Sequence, residues 1–281
     1  MLRRMMRFNR SIMRYLTRVT SILLIFVMIF LFSCGDEKRQ ENPKDDGDIV
    51  VMVTIEETMA EVERDEQTKK RVAFTFDDGP HNVYTKRIVD ELSKYGFHAT
   101  FFVIGNRVDG VKYNGKSGLC YAYENGNEIG IHGYTHTEYY NKCSDEVYES
   151  EINKTEEAIK KVIKDTKVSL MRPVGGHITS ERIQDSEYSV ILWNVDPEDW
   201  RHKYSSGDSE ETRSQKVQAI VDNVMSNVRD GSIVLMHDIY ESTSDAVVIL
   251  LERLANEGYE VVTVSELLGE KRVAGEKYSF G

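Results

Sequence analysis

Val72-Ala73-Phe74-Thr75-Phe76-Asp77-Asp78-Gly79-Pro80 is the stretch that decides the fold. Five β-forming residues run straight into Asp-Gly-Pro, so a buried strand ends where two adjacent carboxylates emerge into a turn. In parallel α/β folds the carboxyl ends of strands carry the chemistry, whereas an isolated Asp-Asp-Gly-Pro reads as a turn and nothing more. The neighbouring carboxylates nonetheless repel each other unless a cation or cationic side chain separates their roles.

Working outward, short apolar runs alternate with amphipathic helical patterns from Arg71 onward. The expected strands are 72–76, 100–104, 128–131, 168–171, 189–193, 232–236 and 259–264. Between them, Tyr84/Ile88/Leu92/Tyr95, Ile152/Thr155/Ile159/Val162 and Val217/Ile220/Val224/Val228 recur at helical spacing and read as core-facing stripes. Repeated βα units of this kind imply an α/β fold with a largely parallel sheet of about seven strands. Residues 113–118 and 205–209 read as loops, and 269–281 as a C-terminal tail.

The remaining chain separates into two zones. Residues 1–34 hold six arginines before an apolar run from Ile22 to Phe32, the pattern of a signal sequence ending at Ser33-Cys34. Leu31-Phe32-Ser33-Cys34 resembles a bacterial lipobox, which implies lipidation of Cys34 and a membrane-anchored, extracytoplasmic protein. Residues 35–70 are rich in charge and read as a linker and lead-in, with Ile49–Ile55 as a possible accessory strand. The net charge of −11 argues against a nucleic-acid partner, which demands a basic footprint. Cys120 and Cys143 form an even pair in an exported chain, leaving open both a disulfide and two separate thiols.

Beyond the first strand, His132-Gly133-Tyr134-Thr135-His136 follows the third, with imidazoles at i and i+4 that a helical turn would aim at one point. Two His and one carboxylate suit a divalent metal of the zinc type; Gly133 excludes the zincin pattern, which needs Glu there. Arg172-Pro173-Val174-Gly175-Gly176, Asp196-Pro197-Glu198-Asp199-Trp200 and Leu235-Met236-His237 also fall at expected strand ends, so all five segments would share one rim.

These five segments, in this order from about Arg71 to Leu268, resemble the motifs of the polysaccharide deacetylase family, the NodB-homology or carbohydrate esterase family 4 domain. The resemblance implies an irregular (β/α) barrel over 71–268 and metal-dependent hydrolysis of N-acetyl groups on a polysaccharide. Peptidoglycan N-acetylglucosamine is the expected substrate, with chitooligosaccharide and xylan as alternatives. It further implies that Asp77 is the general base, that Asp78, His132 and His136 hold the metal, and that Arg172 pairs with Asp77. His237 would be the general acid, tuned by Asp199. Trp200 and Leu235 would wall the acetyl pocket, and the backbone N–H of Gly175 would face the oxyanion. Zinc is the expected metal, with Co, Ni and Mn as candidates. The sequence departs from the family pattern at Gly133, where Ser is usual, at Val174, where Pro is usual, and at Gly175, where Tyr is usual. A noncatalytic glycan-binding protein on the same scaffold would be expected to lose the base, the acid or a ligand; all five are present. His81, His98, His177 and His202 match no catalytic position.

Overall fold

The structure, a computed structural model, describes residues 69–113, 116–164 and 166–281. The arginine-rich leader, Cys34 and the run at 49–55 lie outside the described residues. Among the described residues no helix is long and apolar enough to cross a membrane.

The strands of the main sheet are β1 (Lys70–Asp77), β2 (Thr100–Val103), β5 (Glu128–Ile131), β6 (Leu170–Met171), β7 (Ser189–Ile191), β8 (Ser232–His237), β9 (Tyr259–Val262) and β10 (Lys277–Tyr278). Every pairing among them is parallel, in the order β10-β7-β6-β5-β2-β1-β8 with β9 also on β1. β2 pairs with the end of β1 (Thr75–Asp77) and β9 with its start (Lys70–Ala73), so the two share one edge while β8 takes the other. The sheet curls, and a bridge from Val195, just past β7, to Val234 on β8 draws its two sides together. This is the irregular barrel expected. Each of the seven expected strands is present.

Two expectations change, and one open alternative is resolved. Residues 269–281 are more than a tail, since β10 lies beside β7 and Phe280 bridges to Ser232. The loop expected at 113–118 contains a small antiparallel pair, β3 (Lys112–Tyr113) with β4 (Lys116–Ser117). Cys120 and Cys143 are free thiols.

Side-chain alternation along the strands explains how the site is built. Ala73, Phe102, Leu170, Ile191 and Ile233 pack together on the concave face, closed below by Val264, Leu267 and Leu268. Their neighbours Val72, Phe74, Phe76, Phe101, Val103, Met171 and Val234 face the other way into a larger core. Those residues meet the long helices α1 (Tyr84–Tyr95), α3 (Asp145–Val162), α5 (Glu210–Asn227) and α6 (Glu241–Asn256), between which the short α2 (Gly118–Glu124) and α4 (Ser180–Gln184) fall in chain order. Because side chains alternate with period two, counting up from Ala73 puts Thr75 and Asp77 on the concave side. The same count from Leu170 delivers Arg172, and from Ile233 delivers Leu235 and His237. On β5, Gly130 takes the concave position because a Cβ there would lie 2.5 Å from the Phe102 ring, and His132 follows two residues on.

The helices outside are set by ordinary caps. Ser144 accepts from the Val147 N–H at the start of α3, with Asp145 and Glu146 in the first turn and Lys160 and Lys161 in the last. Thr263 and Glu266 form a reciprocal capping box on the short α7 (Val264–Leu268), which carries the floor of the concave core.

Candidate active site

At the top of β1 the chain turns through Asp78 at φ 74°, a left-handed conformation uncommon for a residue with a side chain. Its surroundings hold it there. Arg107 donates to the Asp78 carbonyl at 2.8 Å, the Ile104 N–H donates to the Gly79 carbonyl at 3.0 Å, and the His81 N–H donates to Thr85 Oγ1 at 2.7 Å. Thr85 in turn donates to the fully buried Asp238, and the Tyr113 hydroxyl donates to the His81 carbonyl. Residue 79 must be glycine, since a Cβ there would fall 2.2 Å from Asp238 Oδ2. Burial drives the Asp238 carboxyl up to about 7, with the Asp78 charge adding to the shift and the Thr85 hydrogen bond opposing it.

Asp78, His132 and His136 converge so that one ligand atom from each lies within 4.8 Å of the others. Asp78 Oδ1 is 3.2 Å from His136 Nε2 and 3.6 Å from His132 Nε2, yet this buried oxygen has no hydrogen-bond partner. His132 Nδ1 lies 2.8 Å from the Arg172 carbonyl, which can only accept, so Nδ1 carries a proton and Nε2 is the ring atom that faces the carboxylates. Burial pushes the His136 imidazole down, against the charge of Asp78, which favours a lone pair. Lone pairs facing a carboxylate oxygen repel unless a cation lies between them; the donor set fits a divalent metal. The histidines do not share a helical turn as expected. They are brought together by a bend with Gly133 at φ 102° and His136 at φ 61°.

Gly133, where the family pattern has Ser, has a packing reason. A Cβ there would sit 2.5 Å from the Tyr140 hydroxyl and 3.2 Å from Glu151 Oε2. Glu151, on α3 and almost wholly buried, accepts from the N–H groups of Tyr134 and Thr135 and from the Thr135 hydroxyl, each at 2.8 Å. It thus fixes the loop that carries both histidines.

Arg172 is fully buried beside Asp77. Its Nη1 donates to Asp77 Oδ1 at 2.9 Å and to Thr75 Oγ1 at 2.7 Å, while Nε and Nη2 each donate at 3.0 Å to the carbonyls of Ile191 and Leu192. The guanidinium lies 4.3 Å from the centroid of the Phe102 ring. Burial alone would raise the Asp77 carboxyl, but Arg172, with His132 and His237, holds it below the usual carboxylate range. Asp77 therefore stays ionised, and its Oδ2 lies 3.6 Å from His132 Nε2.

Beside Asp77, on the adjoining strand β8, His237 Nδ1 donates to Asp199 Oδ1 at 2.7 Å, and its backbone N–H and the Thr243 hydroxyl both donate to Asp199 Oδ2. Three donors hold this fully buried carboxylate. Burial works against a charged His237, but the hydrogen bond and charge of Asp199, with Asp77 and Asp78 nearby, raise it to about 9. The imidazole is thus protonated at neutral pH.

Leu235 is buried on β8, paired with Thr75. Trp200 is 43% exposed, with the Arg201 guanidinium 4.6 Å from its ring centroid, so it is no part of the core. Gly175 adopts φ 60° in the turn after β6. His81 stacks on Tyr84, and its Nδ1 accepts from the N–H groups of Val83 and Tyr84. Thr85, Glu151, Asp238 and Thr243 escape a reading by motif, and Thr75, though within the first segment, is assigned no role by it; the signal available for Glu151 was its position one residue before Ile152 in a stripe that faces the core.

Comparison with known proteins agrees with this geometry. The polysaccharide deacetylase family matches residues 64–188. The chain is 36% identical over 229 residues to the peptidoglycan-N-acetylmuramic acid deacetylase PdaC of Bacillus subtilis, an alignment covering 82% of this chain and 43% of PdaC, so the chain spans less than half of that relative's length. It is 36% identical to a peptidoglycan-N-acetylglucosamine deacetylase of Bacillus cereus, covering 72% of this chain and 90% of the relative. The solved structure of the B. subtilis peptidoglycan deacetylase PdaC superposes with a TM-score of 0.62 at 37% identity, covering 71% of this chain and 90% of that one. With the fold, the ordered motifs and these relatives in agreement, the chain belongs to the polysaccharide deacetylase family.

Proposed function

We propose that the protein removes acetyl groups from the acetamido sugars of a polysaccharide, with peptidoglycan N-acetylglucosamine as the leading substrate. The observation that carries this reading is the placing, side by side at the ends of the paired strands β1 and β8, of an ionised carboxylate at Asp77 and a protonated imidazole at His237. Hydrolysis of an amide needs that pair: a base to take a proton from the attacking water and an acid to give one to the departing amine. A divalent cation held by Asp78, His132 and His136, zinc or else Co, Ni or Mn, would supply Lewis-acid polarisation and water activation.

Asp77 accepts the water proton through the carboxylate that Arg172 keeps charged. The oxyanion that develops on the acetyl carbonyl is met by the backbone N–H of Gly175. His237 protonates the amine as the C–N bond breaks, and Asp199 stabilises and orients the imidazole throughout. Leu235 and Trp200 bound the space for the acetyl methyl group. Retention of base, acid and ligand set disfavours a purely glycan-binding role.

The arginine-rich leader ending in Cys34 supports a lipid-anchored protein outside the cytoplasmic membrane, beside the cell wall. Both B. subtilis PdaC and the B. cereus relative carry peptidoglycan in their names, one for muramic acid and the other for glucosamine. Acetate release by the full chain from peptidoglycan, acetylated chitooligosaccharides and acetylxylan tests the assignment; release from xylan alone would replace the N-deacetylase reading with an ester-hydrolysing one. Fatty-acid labelling of the wild type but not of Cys34→Ala tests the anchor, and equal labelling would remove it.

A further inference from the structure

The side chain missing at Gly175 leaves no gap. A Cβ placed on Gly175 would lie 3.1 Å from His177 Cδ2 and 3.2 Å from Tyr139 Cε1, so two rings already close on that position. Tyr139 and His177 meet edge to face, with centroids 4.8 Å apart at 60°. They come from different loops, one following the metal-ligand bend and one following Arg172, and a bridge between Tyr140 and Ile178 keeps those loops side by side.

The Tyr139 backbone is anchored as well, its carbonyl accepting from the N–H groups of Lys142 and Cys143 at 3.0 and 3.2 Å. Tyr139 as a whole residue is 47% exposed. A large aromatic ring that packs edge to face on His177 yet stays open to solvent has given up part of its freedom before any ligand arrives, a condition under which stacking adds to affinity. Two residues separate Tyr139 from His136, so their Cα atoms, three peptide steps apart, are at most about 11 Å from each other. That places the ring within reach of the glycan whose acetyl group is at the candidate site.

We infer that Tyr139, braced by His177, is the stacking face for a pyranose ring of the glycan, taking the place of the aromatic side chain that the family pattern carries at position 175. The sugar presents its C–H face to the tyrosine ring, and the polar edge of the ring and the sugar hydroxyls stay in water. This rests on the deacetylase reading.

Initial rates of acetate release by the full chain, supplied with zinc, against increasing concentrations of N-acetylglucosamine oligomers test it. Tyr139→Ala and His177→Ala are expected to raise KM by up to about tenfold while kcat holds within about twofold. Tyr139→Phe, which keeps the ring, is expected to keep the wild-type KM. Release by the wild type with unchanged KM in both alanine variants overturns the stacking face and leaves the deacetylase reading intact. A fall in kcat at constant KM also overturns it, since the rings would then act by holding the Gly175 amide. No release by the wild type overturns both.

Discussion

Arg172 Nη1 donates to Asp77 Oδ1 at 2.9 Å, with the guanidinium fully buried and the carboxylate nearly so. Two such charges are costly to remove from water, and each is tolerated because the other is there and because Thr75, Ile191 and Leu192 accept the remaining guanidinium donors. Breaking the pair from one side is therefore expected to cost more than removing both. Arg172→Met should lose about 3–5 kcal/mol of unfolding free energy in urea titrations. The double variant with Asp77→Asn should lose less than the sum of the singles. Strict additivity would mean the pair contributes nothing as a pair.

His237 gives a pH test with a definite sign. Its folded value of about 9 stands above the ordinary 6.5, so charging it stabilises the fold fully below about pH 6.5, and that contribution is lost as the pH rises through about 9. In the proposed mechanism the same protonated form donates to the leaving amine, so kcat/KM should fall on the alkaline side with a midpoint near 9. In Asp199→Asn the partner charge is gone and burial remains, so the midpoint should move down to the ordinary histidine range or below. An unmoved alkaline limb would detach it from His237.

The loop carrying the candidate metal ligands His132 and His136 should depend on Glu151. Its carboxylate accepts three hydrogen bonds from Tyr134 and Thr135, and Glu151→Gln keeps an oxygen for the two backbone N–H groups whereas Glu151→Ala keeps none. Zinc titration is expected to show a loss of about 10- to 100-fold in affinity for the alanine variant and a smaller one for glutamine. At zinc 100-fold over its Kd, the wild type should gain about 2.7 kcal/mol of stability, which chelator removes and His132→Ala never acquires.

Much of this was legible in the sequence because the chemistry sits where strands end. Asp77, Arg172 and His237 follow apolar runs that mark strand ends and so one rim, and the His pair is marked by its own residue types. What escaped had no such mark. Asp238 and Thr85 are ordinary residues in sequence, and they matter only because α1 and the end of β8 bring them under Gly79. The strand at 277–278 is too short for periodicity to reveal, and it exists because the edge of β7 accepts it. The convergence of His132 and His136 was expected from helical spacing, but it comes from two positive φ angles, which spacing does not encode.

Those angles and the Tyr140 hydroxyl make Gly133 a further test. Any side chain there meets both a left-handed backbone and an oxygen 2.5 Å from its Cβ. Gly133→Ala should cost about 1–3 kcal/mol in urea titrations. Tyr140→Phe removes a buried hydroxyl that has no partner, so by itself it should leave stability unchanged or raise it. In that background Gly133→Ala should cost less; an equal cost would place the whole penalty in the backbone.

The most direct test of the central claim is acetate release from peptidoglycan by the full chain, measured with zinc, with chelator, and for Asp77→Asn. The account expects release that needs the metal and disappears in the Asp77 variant while its fold, followed by circular dichroism, persists. Release that survives both chelation and the substitution would contradict it.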